Sequence, residues 1–189
     1  MSLGPCPPLV ELPSPLLILG AAYSGKSELA IQALKAEADT TVIGTAGLLE
    51  LEGRIGKLKS LRPDHWQHRE GHTLNEYLTQ SLPESKQVLV DSINQWLANV
   101  LLESWNKYDL QQQDARLNLE IRSFCDTMHK HGDHRFVIVS SEIGAGVTPP
   151  QELSRFFRQL LGRLHQVIAA ESAAVVQVVA GIPLLIKKP

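Results

Sequence analysis

One short stretch constrains this chain more than any other: residues 16–27, LLILGAAYSGKS. An apolar run opens onto two glycines separated by four residues, followed at once by a lysine and a serine. This is the phosphate-cradling pattern G-x-x-x-x-G-K-[ST], with Gly20, Gly25, Lys26 and Ser27 at its fixed positions and Ala21, Ala22, Tyr23 and Ser24 between them. Phosphate carries dense negative charge, so its site needs many donors close together and little side-chain bulk. Glycines let successive main-chain N–H groups converge at the positive end of a helix. Lys26 is expected to neutralise the outer phosphates and the Ser27 hydroxyl to ligate Mg²⁺. The loop therefore predicts a strand before it, a helix after it and ATP or GTP as ligand.

The rest of the chain alternates in the way such a loop requires. Apolar runs at 16–19, 41–43, 88–90, 136–139 and 175–179, with a short last one at 184–186, are interleaved with helical patterns. Strand–helix units of this kind build an α/β fold with a mostly parallel central sheet. Leu29, Ala30, Ala33 and Leu34 give the helix after the loop one inward face. Trp96, Leu97, Val100, Leu101 and Trp105 mark another, and Leu153, Phe156, Phe157, Leu160, Leu161, Leu164 and Ile168 a long amphipathic one. The segment 50–70 reads as a polar connection, and Gln111 to Gln113 as a polar lead into a helix reaching about His131. Phe156, Phe157, Trp96 and Trp105 read as core.

In nucleotide-binding loops of this type an acid at the end of a second apolar strand helps hold the metal. Asp91, after VLV, is the first candidate and Glu142, after FVIVSS, the second. Lys26 and Asp91 are accordingly the expected catalytic pair. Cys125, His129, His131 and His134 have types that suit zinc, but nothing local makes four ligands converge, and the segment reads as a solvated helix end.

Composition narrows the partners. Of 189 residues 43% are hydrophobic and 20% charged, with a net charge of −2, so no broad basic face for nucleic acid or anionic membrane is expected and any anion must be held locally. Two cysteines make no disulfide framework, and no apolar run approaches the ~20 residues of a membrane span. The chain reads as a cytoplasmic protein with a Pro-rich, loose extension over 1–14 and one nucleotide-binding domain over 15–189.

Taken together, these segments resemble the bifunctional adenosylcobinamide kinase / adenosylcobinamide-phosphate guanylyltransferase family of cobalamin synthesis. SGKSELA resembles the family's start, RIGKLKSLRPDHW its R-I…R-P-x-x-W segment, and VLVDS its acid-ended strand. VIVSSEIGAGVTP is similar to its N-E-V-G-x-G-I-V-P signature, and the stretch from Phe156 to Lys187 to its last helix and strand. The resemblance spans about residues 16–188 and implies a three-layer, RecA-like fold, a homo-oligomer, commonly a trimer, and phosphorylation of the aminopropanol hydroxyl of adenosylcobinamide using Mg²⁺ with ATP or GTP. It further implies that Gly44, Thr45, Ala46, Lys59, Arg62 and Glu70 contact the nucleotide. Family members then carry GMP on a histidine four residues after the arginine of R-I. Here that arginine is Arg54 and the position is Leu58, preceded by Lys57; Ser141 likewise stands where the signature has asparagine. A leucine cannot form a phosphoramidate, whereas phosphoryl transfer by positioning and charge does not need that histidine. The expectation is a kinase with guanylyl transfer impaired, and His65, His68 and His72 are the nearby imidazoles to check. Rival readings are a non-catalytic nucleotide-binding paralogue and a kinase of another hydroxyl.

Overall fold

The computed structural model describes residues 6–45, 58, 60–71 and 73–188. Ala46, Lys59, His72, Arg54 and Lys57 lie outside the described residues. Among those described, seven strands form one sheet: β1 Leu16–Gly20, β2 Thr40–Gly44, β3 Gln67–Glu70, β4 Gln87–Asp91, β5 Arg135–Ser141, β6 Ala174–Val179 and β7 Ile182–Lys187, in the order β3-β2-β4-β5-β1-β6-β7. Every pairing is parallel except β6 with β7. β1 lies between β5 and β6 and is covered on both faces. That double burial is why it reads as an uninterrupted apolar run rather than an alternation.

Helices sandwich the sheet. On one side α1 (Lys26–Gln32) and its C-cap residue set Ala30 and Ala33 against Ile18, Val42, Leu89, Val139 and Val176. The other side carries α2 (Leu74–Ser81), α3 (Ile93–Ser104), α4 (Leu110–Lys130) and α5 (Glu152–Glu171), which bury Leu78, Trp96, Leu97, Phe124 and Leu164 against Leu17, Val90 and Ile138. The chain is thus a three-layer, mostly parallel α/β structure, as the strand–helix alternation and the family resemblance led one to expect. Phe156 and Trp96 are core, and Trp105 packs on Phe156 with ring centroids 6.0 Å apart. No helix among the described residues is long and apolar enough to cross a membrane.

Three local expectations change. Residues 67–70 (QHRE) are not a connection but the edge strand β3, whose side chains are mostly exposed. An edge strand paired on one side needs no apolar run, so periodicity is silent there. Gln112 and Gln113 belong inside α4. Asp109 caps the helix by accepting from Gln112 N at 2.8 Å while Gln112 Oε1 accepts from Asp109 N at 3.2 Å, a reciprocal capping box. Gln113 is buried and donates to Ser104 O. Finally, the N-terminal segment is not loose where it is described. Leu9 and Leu12 are buried in the α1-side cluster, and the Arg135 guanidinium donates to Leu9 O, Leu12 O and Ala33 O at 2.8–2.9 Å. Three carbonyls that strand pairing leaves unused are satisfied by one side chain, which fastens the segment beneath α1.

The solvated helix end after α4 is tied in as well. His134 Nδ1 lies 2.8 Å from Asp133 Oδ1 and its Nε2 lies 3.0 Å from Leu82 O, so both ring nitrogens are already engaged.

Candidate functional site

The phosphate loop forms where β1 ends and α1 begins. Gly25 is the N-cap of α1 at φ +91°, and Tyr23 also has positive φ, at 59°. Gly20 serves for a different reason: a Cβ there would lie 2.5 Å from Ser24 Oγ and 2.8 Å from Val178 O. One glycine is demanded by torsion and the other by space. The turn between β6 and β7 braces the loop, Gly181 N donating to Ser24 O at 2.9 Å. Lys26 is buried and donates from Nζ to Ala21 O at 3.0 Å, folded over its own loop, and the buried Ser24 Oγ has no hydrogen-bond partner among the described residues.

Ser27, in the first turn of α1, donates from Oγ to Asp91 Oδ1 at 3.2 Å, joining the loop to the end of β4. A hydroxyl and a carboxylate meeting beside a phosphate loop form a hard oxygen donor set that suits Mg²⁺. Glu142, the second candidate, is engaged elsewhere: its Oε1 accepts from Gly144 N at 2.5 Å and its Oε2 faces His165 Nδ1 at 3.5 Å.

The β2–β3 side brings the remaining candidates together. Gly44 and Glu70 are paired at the ends of β2 and β3, and Gly44 pairs on its other side with Asp91. Arg62 reaches in from the turn before β3, with Nη2 3.7 Å from Asp91 Oδ2 and a buried Nε that has no hydrogen-bond partner among the described residues. Burial lowers its guanidinium pKa from the ordinary value, opposed by Asp91 and Glu70. Thr45 is wholly buried. Its N donates to Asp91 O, its Oγ1 exchanges hydrogen bonds with the Ser92 main chain, and its O accepts from Asn99. That side chain holds the ends of β2 and β4 together.

Beside the loop opens a cavity of about 480 Å³, lined by Tyr23, Ser24, Gly25, Lys26, Ser27, Glu28, Leu58 and Gly181. Position 58 therefore faces the phosphate pocket and offers it a hydrocarbon. Of the neighbouring imidazoles, His65 is exposed on the turn before β3. His68 Nδ1 lies 3.3 Å from Arg62 Nη1. A guanidinium only donates, so Nδ1 is the acceptor in this contact and is turned toward Arg62.

The family model for cobinamide kinase / cobinamide phosphate guanyltransferase matches residues 16–186. The chain belongs to this family. Its relatives include the bifunctional adenosylcobalamin biosynthesis protein CobP of Pseudomonas aeruginosa, 36% identical over 90% of this chain and 96% of that one. The corresponding CobU proteins of Escherichia coli and Salmonella typhimurium are 29% and 30% identical, each over 91% of this chain and 99% of theirs. Among solved structures, an ATPase of a bacterial type III secretion system superposes with a TM-score of 0.50 at 13% identity, over 86% of this chain and 50% of that one, a likeness of fold. As a cobinamide kinase / guanyltransferase family member the chain is a nucleotide-dependent transferase of cobalamin biosynthesis.

One cluster was legible in the sequence only at Glu142. Ser140 and Glu142 at the end of β5 meet His165 of α5: Ser140 Oγ is 2.7 Å from His165 Nε2, and Asn94 of α3 accepts from Ser141 N at 2.8 Å. Burial lowers the His165 pKa below its ordinary value, opposed by the nearby Glu142 carboxylate. Twenty-two residues lie between Glu142 and His165 in sequence, and the latter sits in an apolar helical stripe where a histidine reads as core.

Proposed function

We propose that this protein uses ATP or GTP with Mg²⁺ to phosphorylate the hydroxyl of adenosylcobinamide and does not carry GMP covalently during its reaction. The observation that supports this reading most directly is the pairing of a fully formed phosphate loop, closed onto Asp91 through Ser27, with Leu58 in the same pocket. Phosphoryl transfer asks for positioning and charge. The main-chain amides of residues 20–27 receive the triphosphate, Lys26 exchanges Ala21 O for phosphate oxygens, and Arg62 adds a second cation from the opposite side. Ser27 and Asp91 would hold Mg²⁺, which supplies charge neutralisation between the outer phosphates. Gly44, Thr45, Ala46, Lys59 and Glu70 complete the nucleotide contacts in this reading, Thr45 by shaping the strand ends.

Guanylyl transfer through a protein adduct needs an attacking nitrogen, and leucine has none. The reading is tested by incubating the protein with adenosylcobinamide and labelled nucleotide. Gamma-labelled ATP or GTP should yield phosphorylated corrinoid, while α-labelled GTP should leave the protein unlabelled after acid-free denaturation. Retention of the α-label on the chain, or nucleotide binding without phosphorylated product, would overturn it.

A further inference from the structure

We propose that Glu142 is the general base that takes the proton of the acceptor hydroxyl, and that His165 is the positioning residue that aims its carboxylate. The inference rests on the kinase reading above and names a part that reading leaves open.

Three observations carry it. The first is place: Glu142 N donates to Gly20 O at 3.0 Å, so this residue stands immediately beside the first glycine of the loop, just past the end of β5, the strand lying between β1 and the Asp91 strand. The second is side. Along β5, Val137 and Val139 pack toward α1, whereas Phe136 and Ile138 pack toward α3 and α5. Ser140 and Glu142 continue the latter register and meet Asn94 and His165 there. In-line transfer puts nucleophile and leaving group on opposite sides of the γ-phosphorus. With the loop and α1 on one face, the acceptor oxygen arrives from the face that Glu142 occupies. The third is support. His165 is buried and Ser140 fully buried, with Ser140 Oγ 2.7 Å from His165 Nε2 and Glu142 Oε2 3.5 Å from His165 Nδ1, so the Nδ1-protonated tautomer that this proposal takes directs its N–H at the carboxylate. A buried serine has no access to substrate, so this trio is an orienting chain behind a carboxylate and not a nucleophile–base pair.

In the step, the acceptor oxygen forms its bond to the γ-phosphorus as the β,γ-bridging P–O bond breaks, and the nucleoside diphosphate departs with the electron pair. The hydroxyl proton passes to Glu142, which later releases it to solvent. His165 keeps its Nδ1 proton throughout.

The test compares Glu142→Gln, His165→Leu and His165→Asn for kcat with adenosylcobinamide, nucleotide affinity by calorimetry, and thermal melting. Glu142→Gln should lose about 10²-fold or more in kcat with nucleotide affinity and melting unchanged. His165→Leu should lose about tenfold in kcat. His165→Asn, whose amide N–H replaces the Nδ1 donor, should recover most of that loss, which a purely structural role would not produce. Wild-type turnover with Glu142→Gln within about threefold of it would overturn this inference alone, as would a Glu142→Gln defect confined to nucleotide affinity. Absence of phosphorylated product from the wild-type protein would overturn the kinase reading and this inference with it.

Discussion

The two sides of the nucleotide pocket obey different rules. On the β1 side, what matters is backbone shape: a torsion at Gly25, a close approach at Gly20, and amides that any sequence with those glycines presents. On the side of residue 58, what the proposed reading turns on is one atom of one side chain. The first side carries the full loop, and the second presents a leucine. An activity that depends on distributed main-chain donors tolerates drift in the residues between them, while one that depends on a single nucleophile ends with a single substitution.

The sharpest challenge to that contrast is to rebuild the missing atom. Leu58→His should convert a protein with no covalent label into one that retains α-labelled GMP, read by acid-labile radiolabel on the denatured chain. An unlabelled variant would mean that the pocket around position 58 has diverged beyond one residue. Next in size, Lys26→Ala removes the only loop side chain carrying positive charge and should reduce phosphoryl transfer by about 10²–10³-fold in a turnover assay. If it does not, the phosphate side is not the working side. Arg62→Ala should weaken nucleotide binding by about tenfold or more by calorimetry, because a charge-assisted contact contributes roughly 1.5–3 kcal/mol. The Asp91 that it faces would also lose a partner at 3.7 Å.

These effects follow a division that the sequence itself displays. The phosphate loop was legible because its whole geometry is local: strand, glycines, lysine and helix follow one another within twelve residues. Asp91 was legible because a carboxylate ending a buried strand breaks an apolar run. Arg62 came only from family resemblance, since its neighbour Asp91 is distant in sequence. β3 escaped notice because a one-sided edge strand alternates nothing against the core, and its residues QHRE are mostly exposed. The N-terminal segment misled for a related reason. Its prolines exclude ladder pairing, yet Leu9 and Leu12 bury themselves without it and Arg135, far along the chain, supplies the hydrogen bonds. His165 was hidden by its own helix, where its spacing fits the apolar stripe and only the fold brings Ser140 and Glu142 to its ring.

Smaller effects probe the same contrast through stability. Gly25→Ala places a Cβ at φ +91° and should cost about 1–2 kcal/mol in urea unfolding, with a larger loss in nucleotide affinity than in stability. The smallest expected effect is that of pH on His165. Its folded pKa is depressed below the ordinary 6.5 by burial, so the folded state favours the neutral ring. That contribution is present above 6.5 and is lost as pH falls through the lower folded value, where the buried ring must charge against its desolvation with Glu142 as its only nearby carboxylate among the described contacts. Melting temperature should fall more steeply on acidification in the wild-type protein than in His165→Asn.

The position of β1 also dictates when this pocket can exist. Its two partners, β5 and β6, begin at residues 135 and 174, and the brace on the loop comes from Gly181. During synthesis the loop residues leave the ribosome early yet lack flanking strands until β5, β6 and the turn after β6 have also emerged. The phosphate pocket is thus completed only when the β6–β7 hairpin docks.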